Sequence, residues 1–155
     1  MIIQQPVALA SPTARATRSS RRRDASRTMK IAQRLYEGVD IGGETVGLIT
    51  YMRTDGVTII PEAVKAIRGL IAREFSQRYV APFIREYKTK AKNAQEAHEA
   101  IRPTTPLRAP EALGSELNGQ ELSLYRMIWQ RTLASQMADA TGTTVSVRLG
   151  GAAVE

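Results

Sequence analysis

Apolar residues recur at helical spacing in three stretches of this chain. The clearest is 61–79, where Val64, Ile67, Ile71 and Phe75 form a stripe joined by Leu70, while Lys65, Arg68, Arg73 and Arg78 lie off it. Pro61 and Glu62 suit its first turn. A second helix is predicted over 26–37, with Ser26 as N-cap, Gly38 as stop, and Met29, Ala32, Leu35 and Tyr36 on the buried face. The third spans 120–138, its face carrying Leu122, Tyr125, Ile128 or Trp129, Thr132 and Gln136. Asn93 followed by Glu96 predicts a capping box and a short helix over about 94–100, ending before Pro103. One or two helical turns are expected near 111–117. Residues 143–149 alternate instead, with Val145, Val147 and Leu149 on one side, which predicts a strand that has no obvious partner in the chain. Residues 46–52 read as a short extended segment after a Gly42-Gly43 loop, and Asp55-Gly56 as a tight turn.

Charge changes this picture at one end only. The chain of 155 residues carries a net charge of +7, and +6 of it falls within the first thirty residues. The basic character belongs to an N-terminal arm rather than to the helical body. Residues 1–23 mix Pro, Ala, Ser, Thr and Arg with little periodicity. They fit a basic arm on DNA phosphates, a targeting peptide or a disordered segment. There is no cysteine, so disulfides and Cys-based zinc sites are excluded. No run of 18 apolar residues is present.

The chemistry concentrates in Gly47-Leu48-Ile49-Thr50-Tyr51-Met52-Arg53-Thr54-Asp55. A phenol is a nucleophile that needs activation, and a guanidinium two positions on has the planar fork that suits a phosphate. In an extended segment residues i and i+2 share a face, so Tyr51 and Arg53 can meet one phosphodiester together. A lone histidine, His98, cannot build a metal site by itself, and Arg102 is either a phosphate contact or a helix C-terminal cation. Gln33 and Glu37, four apart, share one side of the first helix.

The string from Leu48 to Asp55 closely resembles the active-site motif of type IA DNA topoisomerases. Residues 94–104, Ala-Gln-Glu-Ala-His-Glu-Ala-Ile-Arg-Pro-Thr, resemble that family's other hallmark. Residues 27–37 resemble the helix before the tyrosine, and the resemblance runs from about Asp24 to about Val147. It implies a mainly α fold: a disordered or aberrant arm over 1–23, a helical tyrosine-bearing domain over 24–140, and over 141–155 the start of a truncated β-rich domain contributing one strand. It implies that Tyr51 attacks a DNA strand and holds its 5′ phosphate, that Arg53 bears the developing charge, and that His98 positions the phosphate. Gln33, Glu37, Thr50, Thr54, Asp55 and Arg102 are the implied DNA-binding residues. Many relatives carry a serine where Gly56 stands, a departure that removes one hydroxyl.

The resemblance also implies Mg²⁺, held in the family by a separate acidic domain with a D-x-D-x-E set. The aspartates here are Asp24, Asp40, Asp55 and Asp139, and no D-x-D exists. The expectation is a fragment of a cytoplasmic, nucleoid-associated, monomeric enzyme that relaxes negatively supercoiled DNA without ATP through single-stranded breaks. The fragment alone is expected to be inactive. The alternative is a non-catalytic helical module that binds single-stranded DNA.

Overall fold

The computed structural model describes residues 25–87, 98–147 and 150. The N-terminal arm and the Asn93–Glu96 capping box lie outside them. The described residues divide between two units, one within Ser19–Ala138 and the other from Asp139 onward.

Among the described residues the first unit holds three helices and a hairpin: α1 (Ala25–Glu37), β1 (Val39–Ile41), β2 (Glu44–Val46), α2 (Pro61–Glu74) and α3 (Gly119–Ser135). Single 3₁₀ turns at Gln77–Tyr79 and Pro110–Leu113 complete it. The hairpin pairs Val39 with Val46 and Ile41 with Glu44, and Asp40 Oδ1 accepts the Gly43 N–H across its turn.

Helix α3 is the shared spine. Its first half, with Leu124 and Tyr125, packs with Ala32 and Leu35 of α1, Val39, Leu48, Ile49, Leu113 and Leu117. Its second half, with Leu133, packs with Ile67, Leu70 and Ile71 of α2 and with Val80 and Met137. Trp129 touches both clusters, which gives that ring a packing role. The helix starts at a reciprocal cap: Asn118 Oδ1 accepts the Gln120 and Glu121 N–H groups, and Glu121 returns its carboxylate to the Asn118 N–H. Glu121 is buried, and its other oxygen lies 2.9 Å from Arg34 Nε of α1. One carboxylate thus caps α3 and ties it to α1.

Several expectations are corrected. On α1 the buried residues are Ala32 and Leu35, while Met29 and Tyr36 are exposed. The face turned to α3 is narrower than the predicted stripe. Helix α2 ends at Glu74 rather than Tyr79, because Ser76 takes φ 102° and turns the chain. That turn lets Val80 bridge to Met137, with Ala81 N–H donating to Gln136 O and Ala138 N–H to Tyr79 O. Phe75 is left exposed, outside the core. His98 to Ala100 are not helical: Glu99 bridges in parallel to Thr58, and the Ala100 N–H donates to Thr58 O at 2.8 Å. Tertiary pairing outweighs the local helical signal there.

In the second unit, residues 143–147 form no strand, and Val145 and Val147 are exposed. A strand exists by its ladder, and no partner is present among the described residues. Arg148 lies outside the described residues. No helix among them is long and apolar enough to cross a membrane.

Candidate active site

Two extended segments build the site, and each is useless without the other. Residues 48–60 run from the end of the hairpin into α2, and residues 98–104 cross them. Ile49 bridges antiparallel to Pro103, the Thr50 N–H donates to Arg102 O at 2.9 Å, and the Thr104 N–H donates to Leu48 O at 3.0 Å. Side chains reinforce the crossing. The Thr50 hydroxyl donates to Ala100 O at 2.7 Å and accepts the Arg102 N–H at 2.9 Å, and the Thr104 hydroxyl donates to Gly47 O.

Gly56 contributes more than a missing hydroxyl. A Cβ at this position would press into the carbonyl oxygens of His98 and Glu99, the latter at 2.6 Å. Only a residue without a side chain lets the turn after Asp55 lie this close to the second segment.

On this frame sits an exposed cluster. Tyr51 is 51% exposed, and its hydroxyl has no hydrogen-bond partner among the described residues. Its ring lies 6.1 Å from the His98 ring and 5.3 Å from that of Tyr36. Arg53 Nη1 is 2.9 Å from His98 Nε2, and Arg53 Nε sits between the Asp55 oxygens, 2.8 Å from Oδ1 and 2.9 Å from Oδ2. Arginine only donates, so in this contact His98 Nε2 is the acceptor. Asp55 thus holds Arg53, and Arg53 holds His98. The Nη2 group of Arg53 has no partner among the described residues, which leaves two N–H donors for an anion.

The predicted residues fall into three groups. Tyr51, Arg53, Asp55 and His98 come together. Thr50 is committed to the frame, and Thr54 is exposed in the turn that follows Arg53. Gln33 and Glu37 hydrogen-bond to each other on the exposed side of α1, with no hydrogen bond to the cluster among the described residues. Arg102 departs from the expectation of a DNA contact. Its side chain is 7% exposed, and its fork is spent on Glu99 (Nε to Oε1 2.6 Å, Nη2 to Oε2 3.0 Å) and on Pro103 O at 2.9 Å.

Glu99 was not singled out from the sequence. It also accepts the Ile60 N–H at 3.1 Å, beside the first turn of α2, where a negative charge is favoured. Its carboxylate therefore ties the segment bearing His98 to buried Arg102 and to α2. The three-residue Glu–Arg spacing is its only local signal. Tyr36, predicted on the buried face of α1, is exposed, and its ring lies against that of Tyr51.

Among the described residues no group of three His, Cys, Asp or Glu side chains can hold a metal. The Mg²⁺ implied by the resemblance finds no ligand set there. What the cluster offers is a solvent-reachable phenol beside a fixed guanidinium and an imidazole, an arrangement suited to attack on a phosphodiester.

Known proteins are similar to this chain. A family model described as DNA topoisomerase matches residues 8–155. DNA topoisomerase 1 of Rickettsia conorii is 56% identical over 113 residues, which cover 73% of this chain and 15% of the relative. That of Mycolicibacterium smegmatis is 52% identical over 130 residues, covering 83% of this chain and 13% of the relative. Full-length topoisomerase I from Thermotoga maritima superposes with a TM-score of 0.60 at 43% identity, covering 72% of this chain and 17% of that one. The chain thus spans about 15% of the length of the relatives it matches. Both family hallmarks sit at its two crossing segments, and the chain belongs to the type IA family of bacterial DNA topoisomerases.

Proposed function

We propose that this chain carries the nucleophile for ATP-independent breakage and rejoining of single-stranded DNA, the reaction by which negative supercoils are relaxed. The observation that carries this reading is the half-exposed Tyr51 beside the Asp55–Arg53–His98 chain. Tyr51 Oη attacks a backbone phosphorus, and the bond from phosphorus to the 3′ oxygen breaks. The phenolic proton is lost and the leaving 3′ oxygen gains one. A 5′-phosphotyrosyl bond keeps the energy of the broken linkage, so the freed 3′ hydroxyl can reverse the attack after strand passage. Arg53 donates to the phosphate oxygens through its unspent Nη2, where charge builds in the transition state. His98 sets the direction of the guanidinium and offers Nδ1–H as a further donor.

Arg102 acts through position, holding Glu99 and with it the segment that bears His98. Gln33, Glu37, Thr50, Thr54 and Asp55 are proposed to help seat the strand, Thr50 and Asp55 by shaping the loop rather than by touching DNA. The substrate is single-stranded DNA within a negatively supercoiled duplex. The whole enzyme is proposed to be a cytoplasmic monomer that uses Mg²⁺ ligated outside the described residues.

The test combines this chain with the remainder of the enzyme and a labelled single-stranded oligonucleotide, then traps the products in denaturing gels. A protein-linked DNA band that Tyr51→Phe abolishes is expected. DNA that binds without ever becoming covalently linked overturns the proposal and leaves a non-catalytic binding module. The 155-residue chain alone is expected to relax no supercoiled plasmid, with or without Mg²⁺.

A further inference from the structure

Tyr36 and Tyr51 present two half-exposed rings side by side, with centroids 5.3 Å apart and planes inclined at 66°. Tyr36 is 41% exposed. The backbone beneath this pair is fixed. Leu35 is fully buried, and its carbonyl accepts the Leu48 N–H at 2.7 Å. A Cβ on Gly47 would lie 2.7 Å from Tyr36 O, so the segment leading to Tyr51 crosses directly over the end of α1. The two rings therefore meet because their main chains are pinned together, and the pair is part of the fold.

Tyr36 brings no charge to the site. Arg53 and His98 supply the groups an anion needs, and what Tyr36 adds is aromatic surface beside them. An exposed ring next to an anion-binding cluster matches a ligand that carries a phosphate and a flat ring in each repeat, which is a nucleotide. We propose that Tyr36 is a stacking platform for the base adjoining the phosphate that Tyr51 attacks, and that it sets the base tolerance of the cleavage site. This rests on the reading of Tyr51 as the DNA-strand nucleophile. Stacking accepts every base and rewards larger ring area, so the platform favours a purine at that one position without reading hydrogen bonds.

The test uses the 155-residue chain, a fluorescein-labelled single strand of about 12 nucleotides and a set of the same strand with one abasic site at each position. Binding is read by fluorescence anisotropy. Tyr36→Leu is expected to weaken binding of the intact strand about fivefold or more, as loss of one base–aromatic stack should. One abasic position should weaken wild-type binding by a similar factor, and Tyr36→Leu should add nothing further there. Tyr36→Phe keeps the ring and is expected to keep the coupling, and Tyr36→Trp to strengthen it. A purely structural role for Tyr36 would weaken all strands equally, with no coupling to any one position.

Additive losses at every position overturn the proposal, as does wild-type binding that Tyr36→Leu leaves unchanged, or no binding by the wild-type chain. If Tyr36→Leu lowers the melting temperature sharply, the Phe and Trp variants decide. Covalent trapping with the complete enzyme is a separate readout. Coupling without trapping overturns the nucleophile reading alone, and trapping without coupling overturns the platform alone.

Discussion

Removing the Glu99 carboxylate should destabilise the chain far more than its place in a loop suggests. The Arg102 side chain is 7% exposed and makes three hydrogen bonds, two of them to Glu99. Glu99→Ala leaves that guanidinium in place with two charged N–H groups facing nothing. Hydrogen bonds to charged groups contribute about 1.5–3 kcal/mol each, and breaking a buried pair from one side costs about 3–5 kcal/mol. Glu99 is itself 23% exposed, so water reaches part of the gap, and the expected loss is near the lower figure, about 3 kcal/mol. In a chain of this length that lowers the melting temperature by about 6–12 °C. The assay is thermal and denaturant unfolding of the wild type, Glu99→Ala, Arg102→Met and the double variant. The double variant should be less destabilised than the sum of the singles by about 2 kcal/mol, because it leaves no uncompensated charge. A loss below about 1 kcal/mol for Glu99→Ala, or energies that add within about 0.5 kcal/mol, would refute the reasoning.

Outcomes are also expected at Gly56, Tyr125, Tyr51 and Arg53. Gly56→Ala should force apart the two segments whose main chains meet there, costing about 1–3 kcal/mol and displacing His98 from Arg53, which NMR of the imidazole and guanidinium resonances will show. Tyr125 is buried, which pushes its phenol up from 10.0 to about 12, with the Arg108 charge opposing the shift, and its hydroxyl donates to Arg108 O at 2.7 Å. The unfolded chain loses this proton near pH 10 while the folded chain keeps it to about 12, so the contribution is whole below pH 10 and lost between 10 and 12, by at most about 2.7 kcal/mol. Tyr125→Phe should cost about 1 kcal/mol at neutral pH and reduce that alkaline fall, and unchanged alkaline titration curves would contradict the assignment. Tyr51→Phe should leave stability within about 0.5 kcal/mol, since the hydroxyl has no hydrogen-bond partner among the described residues, while Arg53→Ala should slow covalent trapping by the complete enzyme about 10²–10³-fold. Equal trapping rates would remove Arg53 from the mechanism.

Three helices, the hydrophobic residues at their centres and the residue types of the site could be read from the linear order of the chain. Helical spacing and residues such as Pro61 act within a turn or two, so they survive in any context. Tyr51, Arg53 and His98 were readable for another reason: they stand in the two strings, 48–55 and 94–104, that resemble the motifs of the type IA family. The fold decided what depends on distant partners. Ser76 ends α2 because Val80 must meet Met137. Residues 98–100 are extended because Thr58 offers a ladder, whereas 143–147 form no strand and have no ladder partner among the described residues. Arg102 is a buried tie and Tyr36 an exposed ring because burial is fixed by what packs over a residue, and no local pattern reports that. Even the approach of His98 to Tyr51 and Arg53 joins residues more than forty positions apart, and it exists only because two segments cross over a glycine.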